Sequence, residues 1–257
     1  MIVDFLMPSI LLIIVALALL LHKRVESKMR RILEDRKLSV REIILMVTLM
    51  GIMVSVATLI PEYAIQILFI AAYSYMLLVF TYIFSGRLAL SILPPSIFII
   101  TYLMTDSILV TNIFAAIFAI MIITYLNSLF SLRVALIFSA LLIVMDIVQV
   151  FFTGHMVGAA IKMLSLRLPV AIVLPGISVL GLGDIFLSGL LSTQAASRYG
   201  RKVGLLTAAT ISLAFFIFEF LMLNFGLGAG GFPATVIVLL GWLLGIGIYT
   251  LQRRGSK

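Results

Sequence analysis

Apolar residues run through this chain in stretches too long for the core of a soluble domain. Runs near 3–21, 42–60, 63–84, 88–104, 107–126, 133–153, 175–193, 203–224 and 232–250 each approach the length of roughly 20 residues that a helix needs to cross a bilayer. Hydrophobic residues make up 63% of the 257 and charged residues only 11%, less than half the share typical of a water-facing protein. The expected fold class is therefore an all-α polytopic membrane protein with nine transmembrane helices. The breaks at Pro61-Glu62, Ser85-Gly86-Arg87, Asp106 and Phe225 to Gly231 are short, so successive helices should be antiparallel neighbours. Pro94-Pro95 falls inside the fourth run and should kink or interrupt it.

The basic residues set an expected orientation. None precedes Leu21, which reads as a retained first helix and not a cleaved signal. Lys23, Arg24, Lys28, Arg30, Arg31, Arg36, Lys37 and Arg41 then crowd the segment 22–41. With the N-terminus outside, sixteen Lys and Arg face the cytoplasm and only Lys162 and Arg167 face out. The positive-inside rule thus predicts N-out, C-in, in the cell membrane if the source is prokaryotic. The net charge of +8 then lies against anionic lipid, with no nucleic-acid surface expected. Within one integral membrane domain, residues 1–132 carry spans one to five and residues 133–257 carry spans six to nine.

The chain has no cysteine, which excludes disulfides, thiolate metal sites and thiol catalysis. His22 and His155 are far apart and form no HExxH zinc site, so neither metal nor cofactor is expected.

Three of the ten carboxylates sit inside apolar runs: Asp146, Asp184 and Glu219. A carboxylate at mid-bilayer costs about 2.5–3.5 kcal/mol on insertion scales, so each needs a reason. Asp146 lies seven residues before the outer end of span six, and Asp184 lies nine after Pro175 at the expected start of span seven. At the helical rise these are depths of about 10 and about 14 Å, close enough for adjacent helices to set the two face to face. Two such acids in a low-dielectric site cannot both ionise and should share one proton. That is the device of an aspartic protease, in which one acid deprotonates water while the other protonates the scissile carbonyl. The same residues could instead form a proton relay in a proton-coupled transporter, and depth alone does not separate the two. Glu219 reads as an interfacial acid, His155 as a loop residue, and Gly241 with Gly245 as a close-packing pair.

Asp184 closes the run Gly181-Leu182-Gly183-Asp184, whose glycines would let a partner backbone approach and would weaken the helix locally. Upstream, Leu168-Pro169-Val170-Ala171-Ile172-Val173-Leu174-Pro175 is partly β-branched and bounded by prolines. It suits an extended segment that pairs with unwound substrate, or else an outward extension of span seven.

On these residues the sequence resembles the intramembrane aspartyl proteases comprising presenilins and signal peptide peptidases, its compact loops leaning towards archaeal members. Nine spans, Ile143-Val144-Met145-Asp146-Ile147 in span six, Gly181 to Asp184 in span seven and Pro233-Ala234-Thr235 opening span nine carry the resemblance. It covers residues 133–250; spans one to five match only in number and hydrophobicity. Met145 stands where the family has Tyr, Thr235 where it has Leu, and Phe232 where signal peptide peptidases have Gln. The resemblance implies an intramembrane aspartic endopeptidase with Asp146 and Asp184 as the catalytic pair. Gly181, Leu182, Gly183, Pro233, Ala234 and Thr235 would position substrate. The implied partners are membrane-spanning peptides or signal peptides and the lipid bilayer, in the signal-peptide-peptidase orientation. A serine-type intramembrane protease would need a Gly-x-Ser-Gly nucleophile, which is absent.

Overall fold

A computed structural model describes residues 4–32, 37–174, 178–225 and 232–255. Eleven helices and one two-stranded sheet are present among them. In chain order the first helices are α1 (Leu6–Ile32), α2 (Val40–Ala57), α3 (Glu62–Ser85), α4 (Leu88–Ser91), α5 (Leu93–Met104) and α6 (Ile108–Leu129). There follow α7 (Leu132–Ile147), continued by a π-helical turn over Val148–Phe152, and α8 (His155–Ser165). Strands β1 (Ala171–Leu174) and β2 (Ser178–Gly181) precede α9 (Leu182–Tyr199), α10 (Arg201–Phe225) and α11 (Ala234–Gly255). Arg36, Glu34, Asp35, Pro175 and the break at 226–231 lie outside the described residues, as do the side chains of Lys23, Arg24, Arg30 and Arg31.

Among the described residues, six helices are long and apolar enough to cross a membrane, namely α2, α3, α6, α7 with its π turn, α10 and α11. Two shorter apolar stretches, Leu6–His22 and Leu88–Met104, accompany them. The chain is thus a multi-pass integral membrane protein built almost wholly of helix.

Local chemistry explains most element ends. Ser39 and Glu42 form a capping box at the start of α2, and the Asp4 carboxylate accepts the Leu6 N–H at 2.7 Å at the start of α1. Gly86 takes a left-handed conformation (φ 64°) to end α3. The expected interruption of the fourth run occurs at Ile92, just before Pro94-Pro95, which sit in the first turn of α5 where a missing N–H costs nothing.

Three expectations are corrected. The seventh helix begins at Leu182, seven residues after Pro175, because residues 178–181 pair with β1 instead of coiling. An apolar stretch this short satisfies strand and helix equally, and only its pairing partner decides. The fold stays that of an all-α membrane protein, with one short two-stranded sheet added. His155 is no loop residue either: it opens α8, whose Lys162 Nζ donates to the carbonyls of Ala57 and Thr58 at the end of α2. Finally, the basic segment, which reads from sequence as a short cytoplasmic helix, is helical as far as Ile32 but is continuous with α1, which does not stop near residue 21.

The core is organised around α9. Every residue from Ile185 to Ala195 is buried, with α1, α6, α7, α10 and α11 packed around it. Small residues permit this: a Cβ on Gly189 would lie 2.3 Å from Ile123 Cδ1, and one on Gly204 would lie 2.9 Å from the Ser192 carbonyl oxygen. Gly241 and Gly245 pack as expected, since a Cβ on Gly241 would stand 2.6 Å from Ile211 Cα in α10. Polar groups this deep must find partners. Asn127 serves three of them, accepting from Gln194 Nε2 at 2.7 Å and from the Thr193 hydroxyl at 3.0 Å while its amide nitrogen meets His22 Nε2 at 2.8 Å. A second, aromatic cluster of Tyr73, Phe80, Phe98 and their neighbours joins α3, α5 and α6.

The strands pair antiparallel, with Ala171 opposite Gly181, Ile172 opposite Leu180, Val173 opposite Val179 and Leu174 opposite Ser178. The Leu182 N–H donates to the Val170 carbonyl at 2.9 Å, extending the ladder to the first residue of α9. The extended reading of residues 168–174 therefore holds over Ala171–Leu174, and they do not lengthen the seventh helix.

Candidate active site

Asp146 and Asp184 come together from opposite directions along the chain. Asp146 lies near the C-terminal end of α7, two residues before the π turn, and is only 3% exposed. Such wide turns recur where a helix must re-aim its side chains at a functional site. Asp184 stands in the first turn of α9, immediately beyond β2, and is half-buried. The two carboxylates are electrostatic neighbours. Their closeness does not come from matched helical depth, because the residues before Asp184 are a strand. It comes from the packing of α7 against α9, whose first turn carries Asp184.

The third element is α11. Pro233 is buried and immediately precedes it, and the Pro233 carbonyl accepts the Val236 N–H at 3.2 Å. The backbone N–H and the hydroxyl of Thr235 both lie towards the Asp146 carboxylate. The first-turn N–H groups of a helix have no internal acceptor, and its dipole favours an anion there. The Thr235 hydroxyl is buried without a well-formed hydrogen bond. Pro233, Ala234 and Thr235 are thereby gathered at the acid pair, Thr235 directly on Asp146 and Ala234 on the wall of the adjoining cavity.

That cavity, about 350 Å³, is bordered by Asp184, residues 178–180 of β2, Phe215, Phe218, Glu219, Met222, Leu223, Phe232 and Ala234. Asp146 does not line it. Glu219, read from sequence as an interfacial acid, lines the same cavity as Asp184. Behind it Ser178 and Asp4 complete a polar group: Asp4 is 6% exposed, and the Ser178 hydroxyl donates to its Oδ2 at 3.3 Å. Sequence reasoning missed Asp4 and Ser178, which are 174 residues apart and bear no local sign of each other.

The glycines act differently from expectation. In the direction a side chain would take, no backbone atom lies within 4 Å of either one. A Cβ on Gly181 would lie 3.1 Å from Oδ2 of Asp184 itself, whereas one on Gly183 would meet nothing within 4 Å. Gly181 thus leaves room for the carboxylate three residues on. Leu182 is half-buried and ties the start of α9 to Val170. No group of three or more metal-ligating side chains occurs among the described residues.

Asn112 of α6 adds a contact absent from the sequence reading. Its Nδ2 donates to the Val173 carbonyl and its Oδ1 accepts the Val173 N–H, both at 2.9 Å. In an antiparallel pair the N–H and C=O of one residue point to the same side, and opposite residues in a non-bonded pair both point outward. With Val173 turned towards α6, the backbone groups of Val179 point away from β1. Val179 is 54% exposed and borders the cavity. Among the described residues it makes no backbone hydrogen bond outside the sheet. Phe218 and Phe232 pack against each other beside the same space, their rings tilted by 43° with centroids 4.8 Å apart. No protein-family model, curated protein or solved structure matches the chain.

Proposed function

We propose that the protein is an intramembrane aspartic endopeptidase, with nine spans, an external N-terminus, and Asp146 and Asp184 as its catalytic pair. The observation that carries the reading is the convergence of two carboxylates from apolar helices on one spot, with the N-terminus of α11 facing Asp146 and a strand leading into Asp184. Like charges so placed hold one proton between them. The ionised member takes a proton from water as the water oxygen bonds to the peptide carbonyl carbon. The protonated member gives its proton to the carbonyl oxygen. Collapse of the resulting gem-diol returns a proton to the departing amine nitrogen and breaks the C–N bond.

A substrate helix hides its carbonyls in its own hydrogen bonds and must unwind to be cut. The strand edge serves this step by accepting an extended segment, and the edge in question is β2, not β1. The segment 168–174 does not offer a free edge, because Asn112 occupies the backbone of Val173. Substrate laid along Val179 and Gly181 runs towards Asp184.

The orientation is supported by the two basic residues that the charge rule leaves outside. Lys162 serves the carbonyl end of α2, and Arg167 pairs with Asp106, so each has a local partner that explains its place. A reporter inserted between residues 154 and 169 is expected to be accessible from outside; protection there, with a cytoplasmic signal, would reverse the topology.

Activity is read by cleavage of a tagged membrane-spanning peptide, comparing the wild type with Asp146→Ala and Asp184→Ala. A proton-coupled transporter would instead move protons in sealed vesicles and leave the peptide whole. The two glycines give a finer test. Gly181→Ala is expected to lower kcat by about 10-fold by displacing the carboxylate of Asp184. Gly183→Ala should fold normally and lose less. Equal losses from both would show that the room beside Asp184 is not what Gly181 provides.

A further inference from the structure

We propose that Asn112 is a positioning residue that holds the two-stranded sheet in the one placement from which an added substrate strand reaches Asp184. The inference rests on the protease reading above. Asn112 lies one turn into α6, a helix whose only other carboxamide is Asn127. A carboxamide in an apolar helix is costly unless both of its ends are paired. Here both are, and by a single residue: Val173 supplies the donor and the acceptor.

The chemistry of that match is specific. A carboxamide carries one carbonyl and one N–H₂ in a plane, which is a peptide group in miniature. Against an extended residue it makes the two bonds a neighbouring strand would make. The N–H and C=O of Val173 also fix which end of the amide is which, since each takes a different atom. Alanine offers neither bond, aspartate offers an acceptor but no donor, and glutamine offers both from one methylene further out.

Two consequences follow from this clamp. It closes the outer edge of β1, so an incoming strand can join only along β2. It also ties β1 to α6, whose Ala115 and Ala119 are wholly buried in the core. Leu182 holds Val170 at the other end of β1 through the first residue of α9. The sheet is therefore fixed at one end to α6, which packs on α9, and at the other to α9 itself, the helix that carries Asp184. A substrate strand hydrogen-bonded to Val179 inherits that register, and with it the identity of the bond set before Asp184. Asn112 touches neither substrate nor acid, yet the cut position depends on it.

The test measures kcat, KM and product ends, the last by mass spectrometry, for the full-length protein in detergent with a tagged membrane-spanning peptide. Asn112→Ala is expected to lower kcat by about 10-fold or more, since small misplacements of reacting groups carry penalties of that order. KM should stay within about 3-fold, because the apolar contacts of a substrate helix dominate binding. The products should spread over neighbouring bonds. Asn112→Asp should give the same spread, and Asn112→Gln should restore a single cut at a displaced bond. A folded Asn112→Ala protein with the wild-type kcat and one unchanged product end overturns the proposal. If the alanine variant does not fold, as judged by helix content and thermal midpoint, Asn112→Gln decides: an unshifted cut at the wild-type rate is equally fatal. Absence of cleavage by the wild type would sink the protease reading itself, whereas identical cleavage by wild type and variants sinks only the role of Asn112.

Discussion

Asp146→Ala and Asp184→Ala are each expected to yield a folded, membrane-inserted protein whose kcat for peptide cleavage is lower by on the order of 10³-fold or more. The loss is this large because, in the proposed mechanism, each acid performs a proton transfer that nothing nearby can take over. Glu219 borders the same cavity as Asp184, but its polar neighbours are Asp4 and Ser178, whereas the charged neighbour of Asp184 is Asp146. It is therefore no substitute. The two losses should not add: removing either member ends the shared-proton device, so the double variant should be no slower than the worse single one. Stability should hold or rise slightly, because a carboxylate in an apolar helix is itself a cost. Circular dichroism and a thermal midpoint, measured with the cleavage assay, separate lost chemistry from lost fold. Cleavage within about 3-fold of wild type by either variant would remove that residue from the mechanism.

Val179→Pro is expected to abolish cleavage while leaving the sheet intact. Proline removes the one backbone donor that Val179 would offer a substrate strand. It is tolerated at a strand edge because that N–H takes no part in the existing ladder. The residue before it, Ser178, is already extended, as a residue preceding proline prefers. Ile172→Pro is the contrasting case. The backbone of Ile172 faces Leu180 within the pair, so this change breaks the sheet and should lower the thermal midpoint as well as activity. The pair of variants separates an edge that recruits substrate from a sheet that merely braces α9. If Val179→Pro cleaves normally, strand addition along β2 is wrong.

The two acids were legible because each is a local anomaly, a charge amid apolar neighbours. The interruption before Pro94-Pro95 and the close packing at Gly241 were legible for the same reason, since the residue type alone carries the constraint. The start of the seventh helix was not. Residues 175–181 are as apolar as the helix they precede, and what makes 178–181 a strand is pairing with Ala171–Leu174. The extended character of 171–174 could be read from its β-branched residues and flanking prolines, but which of its edges was free could not. That answer lies with Asn112, which is 61 residues from its partner.

From the chain of residues alone came the membrane habit, the acids that demand a purpose and the glycine and proline punctuation around them. Each is set by transfer free energy or by backbone sterics, which act residue by residue. The folded arrangement decided which acids meet, which helix end faces Asp146, that Gly181 makes room for a carboxylate and not for a neighbouring helix, and which strand edge stays open. These depend on side chains tens to hundreds of residues apart being brought within bonding distance, and no local pattern encodes the distance between them.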